Sequence, residues 1–120
     1  MGTFKDLIVY QKAYKLAMDI FEISKRFPKE ETYSLTDQIR RSSRSVCTNI
    51  AEAYRKRRYP AHFISKTSDA DMENSETQVW IDFSFSCNYI SDKERQDLTS
   101  RSEEIGRLLG HMIDNPEKYL

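Results

Sequence analysis

Apolar positions recur every three to four residues along this 120-residue chain, and prolines at 28, 60 and 116 interrupt the pattern. That period belongs to α-helices buried along one side. Proline is tolerated at a helix start or just past its end, so the intervals between prolines predict helices. The first covers about residues 4–27, opened by a Thr3/Asp6 capping box and stopped by Pro28. The second runs from about Glu31 to Arg58, and the third over about 60–90 with Pro60 in its first turn. The fourth opens at a Ser91/Glu94 capping box and continues to about Asp114, ahead of Pro116. Connections of one to three residues would force antiparallel neighbours. The expected fold is therefore all-α, an antiparallel up-down-up-down four-helix bundle, with 1–120 forming one domain.

Projection at 100° per residue separates two kinds of helix. The fourth has one stripe, built from Leu98, Ile105, Leu108, Leu109, Met112 and Ile113. The second also has one, from Leu35, Ile39, Val46, Ile50 and Ala53, with Ser42 and Ser43 inside it and small enough to admit a neighbouring helix closely. The first helix carries two. Val9, Ala13, Leu16, Ile20, Ile23 and Phe27 form one, and Leu7, Tyr10, Tyr14, Ala17, Met18 and Phe21 lie beside it. The third is likewise two-sided, with Phe63, Thr67, Ala70, Ile81 and Phe85 opposed by Met72, Val79, Trp80, Phe83, Cys87 and Ile90. One core cannot cover both faces of each. Leu7, Tyr10, Tyr14, Phe21, Met72, Val79, Trp80 and Phe83 are accordingly the expected surface for self-association, since aromatic and Met side chains are enriched in interface cores.

Charge adds a second asymmetry. The chain balances 19 Lys+Arg against 19 Asp+Glu. Residues 1–60 hold 13 and 7 of these, a net of +6, whereas residues 61–120 hold 6 and 12, a net of −6. The second helix concentrates the cations at Arg40, Arg41, Arg44, Arg55, Lys56, Arg57 and Arg58. Guanidinium forks match phosphate oxygens, so this row is the expected contact for RNA or DNA. The third helix sets Asp69, Asp71, Glu73, Glu76 and Asp82 against Lys66 alone. Acidic and basic helices lying side by side, in one subunit or between two, would satisfy each other without nucleic acid.

Little in the sequence points to catalysis. His62 and His111 lack metal spacing, no glycine loop could cradle phosphate, and no cofactor or metal is expected. Cys47 and Cys87 show no CxxC pairing and are expected as buried free thiols. No apolar run reaches the ~18 residues of a membrane span, and a secretory signal layout is lacking, so a cytoplasmic protein is expected. Arg57 and His62 form Arg-x4-His, which resembles the motif of the helical HEPN ribonucleases. That resemblance would give Arg57 a phosphate to stabilise and His62 a proton to move.

Several segments resemble a known family in the same order along the chain. Phe4-Lys5-Asp6-Leu7-Ile8-Val9-Tyr10-Gln11-Lys12-Ala13 is similar to the opening of bacterial four-helix-bundle proteins encoded in intervening sequences of 23S ribosomal RNA genes. Phe27-Pro28, Gln38-Ile39-Arg40-Arg41-Ser42, Asn49-Ile50-Ala51-Glu52 and Glu104-Ile105-Gly106 continue the match. Ala53 stands where the family usually has Gly, and the acids of Asp71-Met72-Glu73-Asn74-Ser75-Glu76 replace a Gly-Ser-x-x-Glu pattern. The family is similar to the accessory variability protein of diversity-generating retroelements, a pentameric barrel associated with nucleic acid and a reverse transcriptase. The resemblance implies a homo-oligomer, a pentamer above all, that meets RNA, DNA or a nucleic-acid enzyme through the arginines of the second helix. Within the Asn-Ile-Ala-Glu segment, Asn49 suits a buried inter-helix hydrogen bond. Glu52 suits a pair with Arg41 or Arg55. The expectation is a non-enzymatic binding protein, set against a protein-only scaffold and an Arg57/His62 ribonuclease.

Overall fold

The computed structural model describes residues 2–120, which form helices and, among the described residues, no strand. The helices are α1 (Ile8–Ser24), α2 (Leu35–Arg55), α3 (Pro60–Ser86) and α4 (Asp92–Asp114). Single 3-10 turns lie at Phe4–Asp6, Lys29–Glu31 and Pro116–Lys118. α2 and α4 each pack against both α1 and α3, which puts α1 and α3 at opposite corners of a four-helix bundle. Its extents are 44 × 24 × 23 Å.

Helix ends explain where the expected boundaries shift. The Thr3/Asp6 box forms, but it closes only a 3-10 turn, because extended Leu7 (φ −68°, ψ 128°) breaks the chain before Ile8. α2 begins at Leu35 rather than Glu31. The preceding turn is held by Glu31, whose Oε1 accepts from Ser34 Oγ and from Leu35 N at 3.3 Å. At its other end Arg57 Nε donates to Tyr54 O at 2.9 Å, leaving residues 56–59 as a turn. α3 stops at Ser86 because Asn88 adopts φ 65°, the left-handed conformation that asparagine tolerates. The connections 25–34, 56–59 and 87–91 are thus longer than expected, yet the antiparallel order stands.

α4 starts as its sequence predicts. Ser91 Oγ accepts from Glu94 N at 3.1 Å, and Glu94 Oε1 accepts from Ser91 N at 2.9 Å. Arg26 Nη2 reaches the other oxygen of Glu94 at 2.7 Å, tying the end of α1 to the start of α4. The Ser91 amide, despite partial burial and with help from Arg26, holds the Glu94 carboxyl below its ordinary 4.5. A depressed folded value means the unfolded chain takes up the proton first as the pH falls. Glu94 therefore contributes its full stabilisation above about pH 4.5 and loses it as the pH drops through the lower folded value. Denaturant melts between pH 6 and 3 should fall less steeply for Glu94→Gln than for the parent, and identical slopes would refute the assignment.

The core collects the predicted stripes, including Ile20, Ile39, Ile50, Phe63, Ile81 and Leu109. Ala17, expected on the second stripe of α1, is buried, as are Ser42 and Ser43. Ser42 brings α2 and α3 close enough for Thr77 Oγ1 to donate to its Oγ at 2.9 Å. On the other side of α3, buried Asn74 donates through Nδ2 to Ser102 O at 2.8 Å and accepts from Ser102 Oγ at 2.9 Å. Gln78 Nε2 completes the cluster on Ser102 Oγ at 3.0 Å. Gly106 admits the Asn74 amide: a Cβ there would sit 3.3 Å from Nδ2. Asn49, expected to make the inter-helix bond, donates instead to Ser45 O of its own helix at 2.9 Å. The register-fixing amide is Asn74.

Candidate functional site

α2 turns its apolar stripe inward, which leaves its arginines on the outer side of the α1–α2 face. Arg40 is tied to α1. Its Nε donates to Ser24 Oγ at 2.8 Å and its guanidinium lies 4.7 Å from the Phe21 ring centroid. Arg44 lies 5.5 Å and Lys25 4.8 Å from the same ring. Phe21, expected at an interface, is thus a half-buried platform for three cations, an arrangement favoured by the ring quadrupole. Arg41 and Arg44 are exposed.

The second group sits where α2 turns into α3. Arg57 lies flat over Tyr54, 3.6 Å from the ring centroid, with Nε held by the Tyr54 carbonyl. The Tyr54 hydroxyl donates to Gly2 O at 3.2 Å, fixing the ring from its far end. Tyr54, Arg55, Arg57 and Arg58 line an open hollow of about 270 Å³. Tyr59, which caps α3, and His62 on its first turn are both exposed and place their rings 5.8 Å apart. Arg57 and Arg58 lie in the turn after α2 rather than on the helix.

Across all nine ion pairs among the described residues, none involves Arg40, Arg41, Arg44, Arg55, Lys56, Arg57 or Arg58. The neighbouring acids of α3 do not take them up, although α2 and α3 pack side by side. Glu52 pairs with Lys66 of α3 at 3.0 Å, not with Arg41 or Arg55. Asp71, Glu76 and Asp82 also form no ion pair among the described residues. Desolvation, with the Glu76 carboxyl beside it, pushes the Glu73 pKa up; Ser45 and Arg41 oppose that rise only in part. Arg41 thus lies close enough to Glu73 to favour its charged form, but no ion pair joins the cations of α2 to the acids of α3 among the described residues.

The apolar candidates divide by depth. Leu7, Tyr10 and Trp80 are half-buried and pack onto the bundle's own core. Tyr14 and Met18 of α1 and Met72, Val79 and Phe83 of α3 are exposed. At helical spacing Met72, Val79 and Phe83 point away from the Phe63/Ala70/Ile81 core side. Ile90 of the expected outer stripe is buried instead, because the chain has left the helix before it. Cys47 is buried and burial raises its thiol to about 11, whereas Cys87, expected buried, is exposed at the end of α3.

No group of three or more potential metal ligands occurs among the described residues. No helix among them is long and apolar enough to cross a membrane. A groove of about 590 Å³ between α1 and α4 is crossed by Lys12–Glu104 (3.2 Å) and Arg101–Asp19 (2.8 Å), so its charges already have partners. Sequence periodicity missed the Tyr54–Arg57 stack and the Tyr59–His62 pair, since both depend on how the turn 56–59 folds. The Arg-rich run next to three aromatic residues was the signal available.

A comparison with curated proteins finds no match. Among solved structures, a protein of unknown function from the S23 ribosomal protein family of Bacteroides thetaiotaomicron is similar, with 31% identity and a TM-score of 0.82. The alignment covers 92% of this chain and 98% of that one. A family profile described as 23S rRNA-intervening sequence protein matches residues 5–111. With both the sequence pattern and the bundle in agreement over nearly its whole length, the chain belongs to the 23S rRNA-intervening sequence protein family.

Proposed function

We propose that this protein is a non-enzymatic, cytoplasmic homo-oligomer that binds nucleic acid, or an enzyme acting on it, through the cations of α2 and the turn that follows. The observation that carries the reading is the absence of any ion pair at seven clustered cations among the described residues. Guanidinium groups left without carboxylates are free to replace the counterions of a phosphate backbone.

Self-association is supported by two unlike patches on opposite corners. The α1–α2 patch has Tyr14 and Met18 beside Lys25, Arg40 and Arg44; the α3 patch has Met72, Val79 and Phe83 beside Glu76 and Asp82. Unlike patches of opposite charge suit a heterologous contact, which closes into a ring when the rotation permits. The family resemblance makes a pentamer the ring to expect. The same patches favour a second reading, a protein-only scaffold in which the arginines of one copy meet the acids of the next.

Oligonucleotide binding across a salt series separates the two. Arg40→Ala/Arg41→Ala/Arg44→Ala should bind about 10- to 100-fold more weakly at low salt. It should also flatten the log–log salt slope by roughly 2–3, near one unit per lost phosphate contact. Unchanged affinity and slope would overturn the nucleic-acid reading, and a 14.2 kDa species in sedimentation at micromolar concentration would overturn the oligomer.

A further inference from the structure

Two kinds of contact meet at the turn between α2 and α3. The first is ionic: Arg55, Arg57 and Arg58 surround the 270 Å³ hollow and none has a carboxylate partner among the described residues. The second is aromatic. Tyr59 is 54% exposed, and its ring stands 5.8 Å from His62 at an angle of 44°. Phosphate contacts alone do not read bases, whereas an exposed ring beside them offers a face on which a base can stack.

Arg57 and the backbone that carries the two rings are held in place before any ligand arrives. Tyr54 is fixed by Gly2 at its hydroxyl and by Arg57 on its face. Arg57 spends Nε on the Tyr54 carbonyl, and the described hydrogen bonds leave its two terminal nitrogens free. The turn itself is pinned by Tyr59 N donating to Lys56 O at 2.9 Å, and by His62 N donating to Tyr59 O at 2.9 Å. Ordered cations beside accessible rings are the combination by which proteins grip unpaired strands: phosphates track the cations while bases stack on the rings. Duplex DNA or RNA keeps its base faces stacked inside and offers only base edges and backbone along its length.

Resting on the nucleic-acid reading above, we propose that the α2–α3 corner is a single-strand site. An unpaired base stacks on the Tyr59–His62 pair while the adjoining phosphates lie on Arg55, Arg57 and Arg58. The ligand class is single-stranded RNA or DNA, because nothing at the corner requires the 2′-hydroxyl.

Fluorescence anisotropy with a labelled 12-nucleotide RNA, the DNA of the same sequence, and the duplex of that DNA tests the proposal on the full chain. Tyr59→Ala should weaken both single strands about tenfold and leave the duplex unchanged. Tyr59→Phe, which keeps the ring, should bind like the parent. An unaltered thermal midpoint in both variants confirms that the fold is intact, as the exposure of Tyr59 implies. Equal losses for strand and duplex, or no loss for either, would overturn the single-strand site. In that case the nucleic-acid reading stands if the parent binds the duplex and Arg55→Ala/Arg58→Ala does not. Failure of the parent to bind any of the three probes overturns both.

Discussion

Phe63→Ala should lower the unfolding free energy by about 3–5 kcal/mol, the range for truncating a buried aromatic ring. Phe63 is 1% exposed and is among the largest fully buried side chains. Its ring stacks on Tyr119, with centroids 6.3 Å apart and planes at 24°, so the side chain also seats the C-terminal 3-10 turn. The main-chain bond from Phe63 N to Tyr59 O at 3.0 Å in the first turn of α3 is kept in the variant, so the loss reports the side chain alone. Denaturant titration at fixed protein concentration measures the effect, the concentration being held because assembly would shift the apparent stability. A loss below about 1 kcal/mol would mean that neighbouring side chains collapse into the space and that this end of the core is loosely packed.

Asn74→Leu is the second large effect. The substitution keeps the branching at Cγ and makes the side chain apolar, so area burial alone predicts a gain. The opposite is expected, a loss of about 2–3 kcal/mol, because buried Ser102 is left without the amide that both donates to and accepts from it. The larger leucine end must also fit against Gly106, where the amide already packs closely, which adds strain. A double-mutant cycle with Ser102→Ala should return a coupling of about 1 kcal/mol or more, since the two side chains are in direct contact. A more stable Asn74→Leu protein would show that the polar cluster is tolerated rather than stabilising.

These two residues also mark how far the sequence could be read. Phe63 was identified as core from its spacing to Thr67, Ala70 and Ile81, because a one-sided stripe needs only a helical period. Asn74 could not be identified, since a polar residue on the buried side looks like an interruption until its partner on another helix is known. Asn49 attracted the inter-helix role for the same reason, and a serine four residues back in its own helix takes its amide. Boundaries shifted where a side chain outside the helix decides the matter, as Glu31 does for the start of α2. The cluster of arginines was legible as charge, yet its division into a Phe21 platform and a Tyr54 corner depends on contacts between residues 16 or more apart and on one tight turn. Spacing within α2 points Glu52 to an arginine, yet it pairs with Lys66, because α3 rather than α2 supplies its neighbour.

The uninterrupted course of α3 has a practical consequence. It begins at the corner with Pro60 and ends at Ser86, roughly 40 Å away at 1.5 Å per residue. Beyond it Cys87 is exposed, while Cys47 is buried with its thiol raised to about 11 and is poorly suited to alkylation near neutrality. The natural chain therefore carries one addressable thiol at the far end of a rigid spacer from the arginine corner. A dye placed there reports the distance to an end-labelled oligonucleotide by energy transfer without any residue of the corner being altered. Its neighbour Phe83 belongs to the exposed α3 patch, so the same dye also senses the approach of a second copy.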